Sequence, residues 1–273
     1  RMELLEYIYK MEDLSLGKFE LLKQIPLSDL AAILISGVHS ETKQSVLKPI
    51  PNLIFTRDVG CVINAHLVVC KANKNARLRE NYLIKHIVKH HPIFDTFKDK
   101  TIDFCTEENT KPNSGISIEG GDIMLIHPRH LLIGESERTS LEAIFELKNY
   151  LFENDVVDFV SIIEIPNERY CMHLDTIFTI IDEETCVGYA PLMFEKNDKV
   201  DIITYTKNNQ RAVLHPTVKD LIKTIYPNMN FIACGNGISP FSQREQWTDG
   251  CNFVSVKPGV AYCYERNLKT LDA

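Results

Sequence analysis

Ile118-Glu119-Gly120-Gly121-Asp122-Ile123-Met124-Leu125-Ile126 passes from a two-glycine turn straight into an apolar run of strand length. The glycines permit positive-φ backbone and close approach of another chain or a ligand. Ile123 to Ile126, the turn His127-Pro128-Arg129-His130 and Leu131-Leu132-Ile133 read as a hairpin. Thr139 to Glu153 then predicts a helix, with Thr139 and Glu142 as a capping box and Leu141, Ile144, Phe145, Leu151 and Phe152 on its apolar face. A strand at Val156 to Ile165 closes the unit.

The same order can be read on both sides. Upstream, Leu53-Ile54-Phe55-Thr56 is a strand candidate, Gly60 to Ile63 and Leu67 to Cys70 flank a turn at Asn64-Ala65-His66, a helix carries Leu83, Ile84, Ile87 and Val88 up to Pro92, and Ile102-Asp103-Phe104 closes. Downstream, strands at Thr176 to Ile180 and Thr185 to Tyr189 precede a helix at about Thr217 to Tyr226 and a strand at Asn230 to Cys234. A fourth hairpin starts at Cys251, with Phe253 to Val256 and Val260 to Tyr264 around Lys257-Pro258-Gly259. Repeats of this size predict a ring or array of α/β modules. Residues 1–48 read instead as helices, one with Leu4, Leu5, Ile8 and Tyr9 on a face and one capped by Ser28 that carries Leu30, Ile33 and Leu34.

Of the 273 residues 44% are hydrophobic, enough for one large or two ordinary cores, so an extended or disordered chain is excluded. The net charge of -7 is spread without long runs, which argues against nucleic-acid and anionic-membrane partners and for small molecules. No apolar stretch reaches the roughly 18 residues a membrane-spanning helix needs, and a cytoplasmic location is expected. The eight cysteines, at 61, 70, 105, 171, 186, 234, 251 and 263, form no CxxC pair and read mostly as buried free thiols. The oligomeric state stays open, a homo-oligomer included.

Three stretches each enter the first hairpin of a module: Phe55-Thr56-Arg57-Asp58, Ile118 to Asp122, and His173-Leu174-Asp175-Thr176. They supply carboxylates and an imidazole, a set that suits a planar guanidinium, whose fork of N–H donors is matched by paired carboxylates. Asp58 and Asp175 are the candidates for that pair. His173 and Asp175, two residues apart on a predicted strand, would face one side, with Glu119 orienting the ring for acid-base work near neutral pH. The same residues allow other readings: Glu119 as an incidental acid of a turn, Asp58 paired with Arg57, or Glu119, His173 and Asp175 as ligands of a divalent ion that His90 and His91 could join. No metal and no cofactor is expected.

In these residues the chain resembles the arginine deiminase family of guanidino-group-modifying enzymes. The resemblance rests on Pro51-Asn52-Leu53-Ile54-Phe55-Thr56-Arg57-Asp58, Arg77-Leu78-Arg79-Glu80, Ile118 to Asp122, Gly134-Glu135-Ser136-Glu137-Arg138-Thr139-Ser140, Met172-His173-Leu174-Asp175-Thr176 and Glu245-Gln246-Trp247-Thr248-Asp249-Gly250, in family order. It implies an α/β propeller of five ββαβ modules, about three and a half of them here, with residues 1–48 as part of a helical insertion and 49–273 as the propeller domain. It implies conversion of L-arginine to citrulline and ammonia through a covalent cysteine intermediate. Asp58 and Asp175 would hold the guanidinium, Glu119 and His173 would move protons, Arg77 and Arg138 would take the α-carboxylate, and Asn52 and Phe55 would line the pocket.

The family's nucleophile lies in a glycine-rich segment beyond the tryptophan motif and is expected beyond Ala273, as the first module is expected ahead of Arg1. Cys251, on a predicted strand, and Cys171, just before the histidine motif, are expected to be structural. Other readings are a dimethylarginine hydrolase, an amidinotransferase, or a non-catalytic arginine-binding or regulatory protein.

Overall fold

The hairpin at Gly60–Ile63 (β1) and His66–Val69 (β2) turns at Asn64, which takes the left-handed backbone (φ 51°) such a tight turn demands. A third strand, Thr101–Asp103 (β3), lies parallel to β2 with Leu67 opposite Thr101. A parallel neighbour cannot be reached by a tight turn, and the helix Leu78–His90 supplies the crossover. This computed structural model describes residues 1–111 and 114–273, and it repeats the topology twice more. Ile123–His127 and His130–Glu135 form a hairpin, the helix Leu141–Glu153 crosses over, and Phe159–Glu164 pairs parallel to the second hairpin strand. Phe178–Ile180, Thr185–Gly188, the helix Val218–Ile225 and Asn230–Ala233 repeat it. A last hairpin, Val254–Lys257 with Val260–Tyr262, begins a fourth module.

The helices are α1 Met2–Met11, α2 Leu16–Gln24, α3 Leu27–Ser36, α4 Thr56–Val59, α5 Leu78–His90, α6 Leu141–Glu153, α7 Leu174–Ile177, α8 Ala190–Met193, α9 Val218–Ile225, α10 Phe241–Trp247 and α11 Leu268–Leu271. The strands after β3 are β4 Ile123–His127, β5 His130–Glu135, β6 Phe159–Glu164, β7 Phe178–Ile180, β8 Thr185–Gly188, β9 Ile202–Thr206, β10 Asn209–Leu214, β11 Asn230–Ala233, β12 Val254–Lys257 and β13 Val260–Tyr262.

The chain forms two compact units, Arg1–Ser114 and Gly115–Ala273. In the first, α1 to α3 pack onto the module: Leu5, Ile8, Leu22, Ile33 and Leu34 share a core with Leu67, Val69 and Tyr82, and the Tyr7 ring stacks on Tyr82. In the second, Leu132 and Ile163 share a core with Leu174, Ile177, Phe178, Leu221, Ile222, Cys234 and Cys251. Among the described residues no helix is long and apolar enough to cross a membrane.

Several local expectations are corrected. Leu53 to Thr56 is not a strand: Pro51, pre-set for the first position of a helical turn, starts a 3-10 turn Pro51–Ile54 that leads into α4, and Ile54 and Phe55 lie exposed. The cap of α6 is Ser140, whose Oγ accepts from the Ala143 N–H; Thr139 is engaged elsewhere. The buried face of α6 is Ala143, Ile144, Leu147 and Leu151, with Leu141 turned outward. Ser28 does not cap α3, which starts one residue earlier, and its hydroxyl donates to Asp29. Gly120 and Gly121 form a 3-10 turn without positive φ. Cys251 sits in the turn ahead of β12, not on a strand. The β9–β10 hairpin, absent from the sequence reading, joins β6 antiparallel and extends the second module's sheet to the order β10-β9-β6-β5-β4.

Candidate active site

In the second unit the site is built on Asp122, which ends the glycine turn and has no exposed surface. Its Oδ2 accepts from the hydroxyls of Ser136 and Thr139, each at 2.7 Å, and its Oδ1 accepts from the Leu174 N–H at 2.8 Å. One carboxylate thereby ties the β5–α6 loop to the first residue of α7. Burial pushes the Asp122 carboxyl up, while His173 and these three hydrogen bonds pull in the opposite direction. Thr139 Oγ1 also accepts from the Glu119 N–H at 3.1 Å, which locks the residue ahead of the glycines. The tight fit explains Gly134 on β5: a Cβ there would stand 2.6 Å from Asp122 Oδ1 and 2.7 Å from Ile165 Cδ1.

His173 is therefore not a strand residue two positions from Asp175 on one face. It is the N-cap of the one-turn helix α7, on which Asp175 lies in the first turn. The helix starts there because Thr176 Oγ1 returns to the His173 backbone, donating to its carbonyl at 2.6 Å and accepting from its N–H at 3.4 Å. His173 Nε2 stands 3.1 Å from Glu119 Oε2. Glu119 is fully buried, and His173 and Asp175 nearly so. A buried imidazole beside a buried carboxylate can take and give a proton while the carboxylate offsets the charge it gains.

Arg138 arises from the loop that Asp122 holds: its N–H donates to Ser136 Oγ at 3.0 Å, and its Nη2 donates to Met172 Sδ at 3.1 Å. Its ion-pair distance to Glu137 is 4.0 Å and its side chain is 16% exposed, so the guanidinium lies largely buried beside the histidine motif.

The first unit holds the other predicted residues. Asp58 is buried on α4, and its Oδ2 accepts from Arg77 Nη1 at 2.9 Å. Arg77, in the 3-10 turn Asn75–Arg77, also donates from Nε to Glu80 Oε2 at 2.9 Å. The partner of Asp58 is thus Arg77 and not Arg57, and the acid expected to hold a guanidinium already holds one of the chain's own. Arg79 belongs to a different cluster: its Nη1 donates to both oxygens of Glu12 and its Nη2 to the Lys48 carbonyl. Asn52 is half-buried and Phe55 is 51% exposed.

The thiols near these motifs are withdrawn. Cys171 donates to the Pro166 carbonyl, and burial pushes its thiol up to about 11. Cys251 is fully buried against Gln246 Oε1, and burial raises it well above the ordinary range. Neither is a thiolate near neutral pH. From the sequence, Asp122, Ser136 and Gly134 carry no role and Thr139 only that of a helix cap, although the hydroxyls at 136, 139 and 140 within five residues are the signal of a loop that grips an acid.

The arginine deiminase family model matches residues 7–273. The arginine deiminase of Staphylococcus aureus strain MRSA252 is 39% identical over 235 residues, which cover 83% of this chain and 55% of that protein. That of strain JH9 is 38% identical over 233 residues, with the same shares. The chain thus spans about half the length of the curated relatives it matches. Among solved structures, the substrate-bound N-terminal domain of ArgZ, an arginine dihydrolase of the ornithine–ammonia cycle in cyanobacteria, aligns with a TM-score of 0.53 at 17% identity over 83% of this chain and 67% of that one. AgrE in complex with L-arginine aligns with a TM-score of 0.51 at 18% identity over 83% of this chain and 27% of that one. These likenesses are of fold, and they agree with the array of α/β modules read from the repeats and with the α/β propeller that the resemblance implies. With motifs in order, modules in place and a family match over nearly its whole length, the chain belongs to the arginine deiminase family.

Proposed function

We propose that the chain carries the guanidinium-binding and proton-transfer part of an enzyme that hydrolyses L-arginine to citrulline and ammonia. The observation that carries this reading is the buried Glu119–His173 pair, 3.1 Å apart, held at the N-terminus of α7 by the Asp122 bonds. In the reaction a cysteine thiolate attacks the guanidinium carbon and the C–N bond to the leaving nitrogen breaks. His173 gives that nitrogen its proton, ammonia departs, and His173 then takes a proton from the water that releases citrulline and frees the thiolate. Asp58 and Asp175 hold the substrate's positive charge, Arg138 and Arg77 its α-carboxylate, and Asn52 and Phe55 line the pocket. Because Asp58 pairs with Arg77, substrate binding in this scheme includes sharing that carboxylate between two guanidinium groups.

The nucleophile is assigned to a cysteine beyond Ala273, where the family resemblance places it, and the upward push of burial on the Cys171 and Cys251 thiols argues against either as a substitute. The protein is read as cytoplasmic, with residues 1–48 as part of a helical insertion and 49–273 as the propeller domain. The test is product analysis with L-arginine. A form of the protein that supplies a cysteine beyond Ala273 should release ammonia and citrulline and lose that activity on thiol alkylation, and the 273-residue chain alone should release none. Turnover by the short chain that Cys171→Ser or Cys251→Ser abolishes would refute the assignment of the nucleophile. Release of dimethylamine from dimethylarginine, or amidino transfer to an added amine, in place of ammonia release would refute the reaction.

A further inference from the structure

His86 and His90 lie one turn apart on α5, with ring centroids 4.4 Å apart. Residues at this spacing share a helix face, and two histidines four apart can reach one ion. Glu3, in the first turn of α1, faces them, with its Oε2 3.5 Å from His90 Nε2. One ligand atom from each of the three lies within 4.8 Å of the other two. His91, next along the chain, takes no part: its Nδ1 accepts from the Ile93 N–H and caps the 3-10 turn that follows.

We propose that Glu3, His86 and His90 form a surface site for a divalent transition metal of the zinc and copper class. Two imidazoles and a carboxylate at bond lengths of about 2.0–2.2 Å make a three-ligand site with a fourth position open to water or an external donor. Imidazole donors select zinc, copper and nickel over magnesium and calcium, which take oxygen. Glu3 and His90 are exposed and His86 half-exposed, so all three can rotate the short distance needed to close on an ion. Lys89 Nζ occupies the other oxygen of Glu3 at 2.6 Å, leaving Oε2 toward His90. Its ammonium opposes a cation and sets the affinity below that of an unopposed site. A bound ion would staple α1 to α5, joining the helical segment to its module.

Isothermal titration of the metal-free chain with zinc chloride and with copper chloride tests the site, in a Cys263→Ser background that removes the exposed thiol. One saturable zinc or copper equivalent is expected, with no response to magnesium. His86→Ala and His90→Ala should each weaken it by at least the roughly 10–100-fold that changes around a metal's ligands cost. Lys89→Ala should tighten it, an increase that loss of folding cannot mimic. Absence of saturable binding, equal affinity in the histidine variants, or binding that disappears with Cys263 would each overturn the proposal.

Discussion

The imidazole of His173 and the carboxylate of Glu119 meet at 3.1 Å with almost no exposed surface, one on the N-cap of α7 and the other ahead of the glycine turn. Neither residue is fixed by its own strand. Both are held through Asp122 and Thr139, so the pair is a product of the loop network and not of the sheet.

Glu119→Gln keeps the shape of that contact and removes its charge. If His173 moves protons in arginine hydrolysis, the variant should lose about 10²–10⁴-fold in kcat with a smaller change in KM, measured in a form of the protein that turns arginine over. The limb of the pH–rate profile that reports imidazole protonation should move toward acid, because the carboxylate no longer favours the imidazolium. Arginine hydrolysis with an unshifted profile would remove Glu119 from the proton path.

Gly134→Ala should disturb the same pair from a distance. The added methyl would stand 2.6 Å from Asp122 Oδ1 and 3.2 Å from Leu174 Cβ, and neither neighbour can retreat without loosening the hydrogen bond between them. Overpacking of this kind costs about 1–3 kcal/mol, readable as a lower urea midpoint. Unchanged stability would mean that β5 shifts to make room and that Asp122 is not rigidly held.

The module order was legible because each hairpin, crossover helix and closing strand carries its own periodicity and turn residues. Three kinds of feature were not. Leu53 to Thr56 is apolar and β-branched, yet Pro51 sets a helical turn and no strand pairs with it. The placement of His173 depends on Thr176 closing onto its backbone, a contact a strand reading cannot contain. The Asp58–Arg77 pair spans 19 residues, and side-chain chemistry gave each partner a separate role in substrate binding. Candidate residues were thus legible by type, while their partners required the fold.

That pair separates a structural from a substrate-binding role for Arg77. Arg77→Ala breaks two buried ion pairs, with Asp58 and with Glu80, and should cost about 3–5 kcal/mol. Arg77→Lys should recover part of the stability, since one ammonium cannot reproduce the two-pronged guanidinium contact. If Arg77 also serves the substrate's α-carboxylate, Arg77→Lys narrows the preference for arginine over agmatine in calorimetric titrations. A stability loss with that preference intact would leave Arg77 a purely structural residue.

The pH dependence of stability should come in part from a chain of side chains across the second module's sheet, buried at His130 and part-buried at His215. His130 Nε2 meets Ser161 Oγ at 2.8 Å, Ser161 meets Thr204 Oγ1 at 2.6 Å, and Thr204 meets His215 Nε2 at 2.9 Å. Burial, aided by His127 and His215, lowers the pKa of His130 to about 4. Burial also lowers His215, against the pull of Asp220. A histidine with a depressed folded pKa is held neutral, so as pH falls below about 6.5 the unfolded chain takes up the proton first. Its contribution is therefore complete above about pH 6.5 and is lost progressively down to about pH 4, a total of about 3 kcal/mol at 1.36 kcal/mol per unit. His130→Asn removes the titration and keeps a side chain able to bond Ser161. Between pH 7.5 and 5 the urea midpoint of the wild type should fall further than that of the variant, whose residual slope comes from His215, His66 and His86, each also lowered by burial. Parallel decreases in both proteins would show that His130 accepts its proton in the folded state as readily as in the unfolded one.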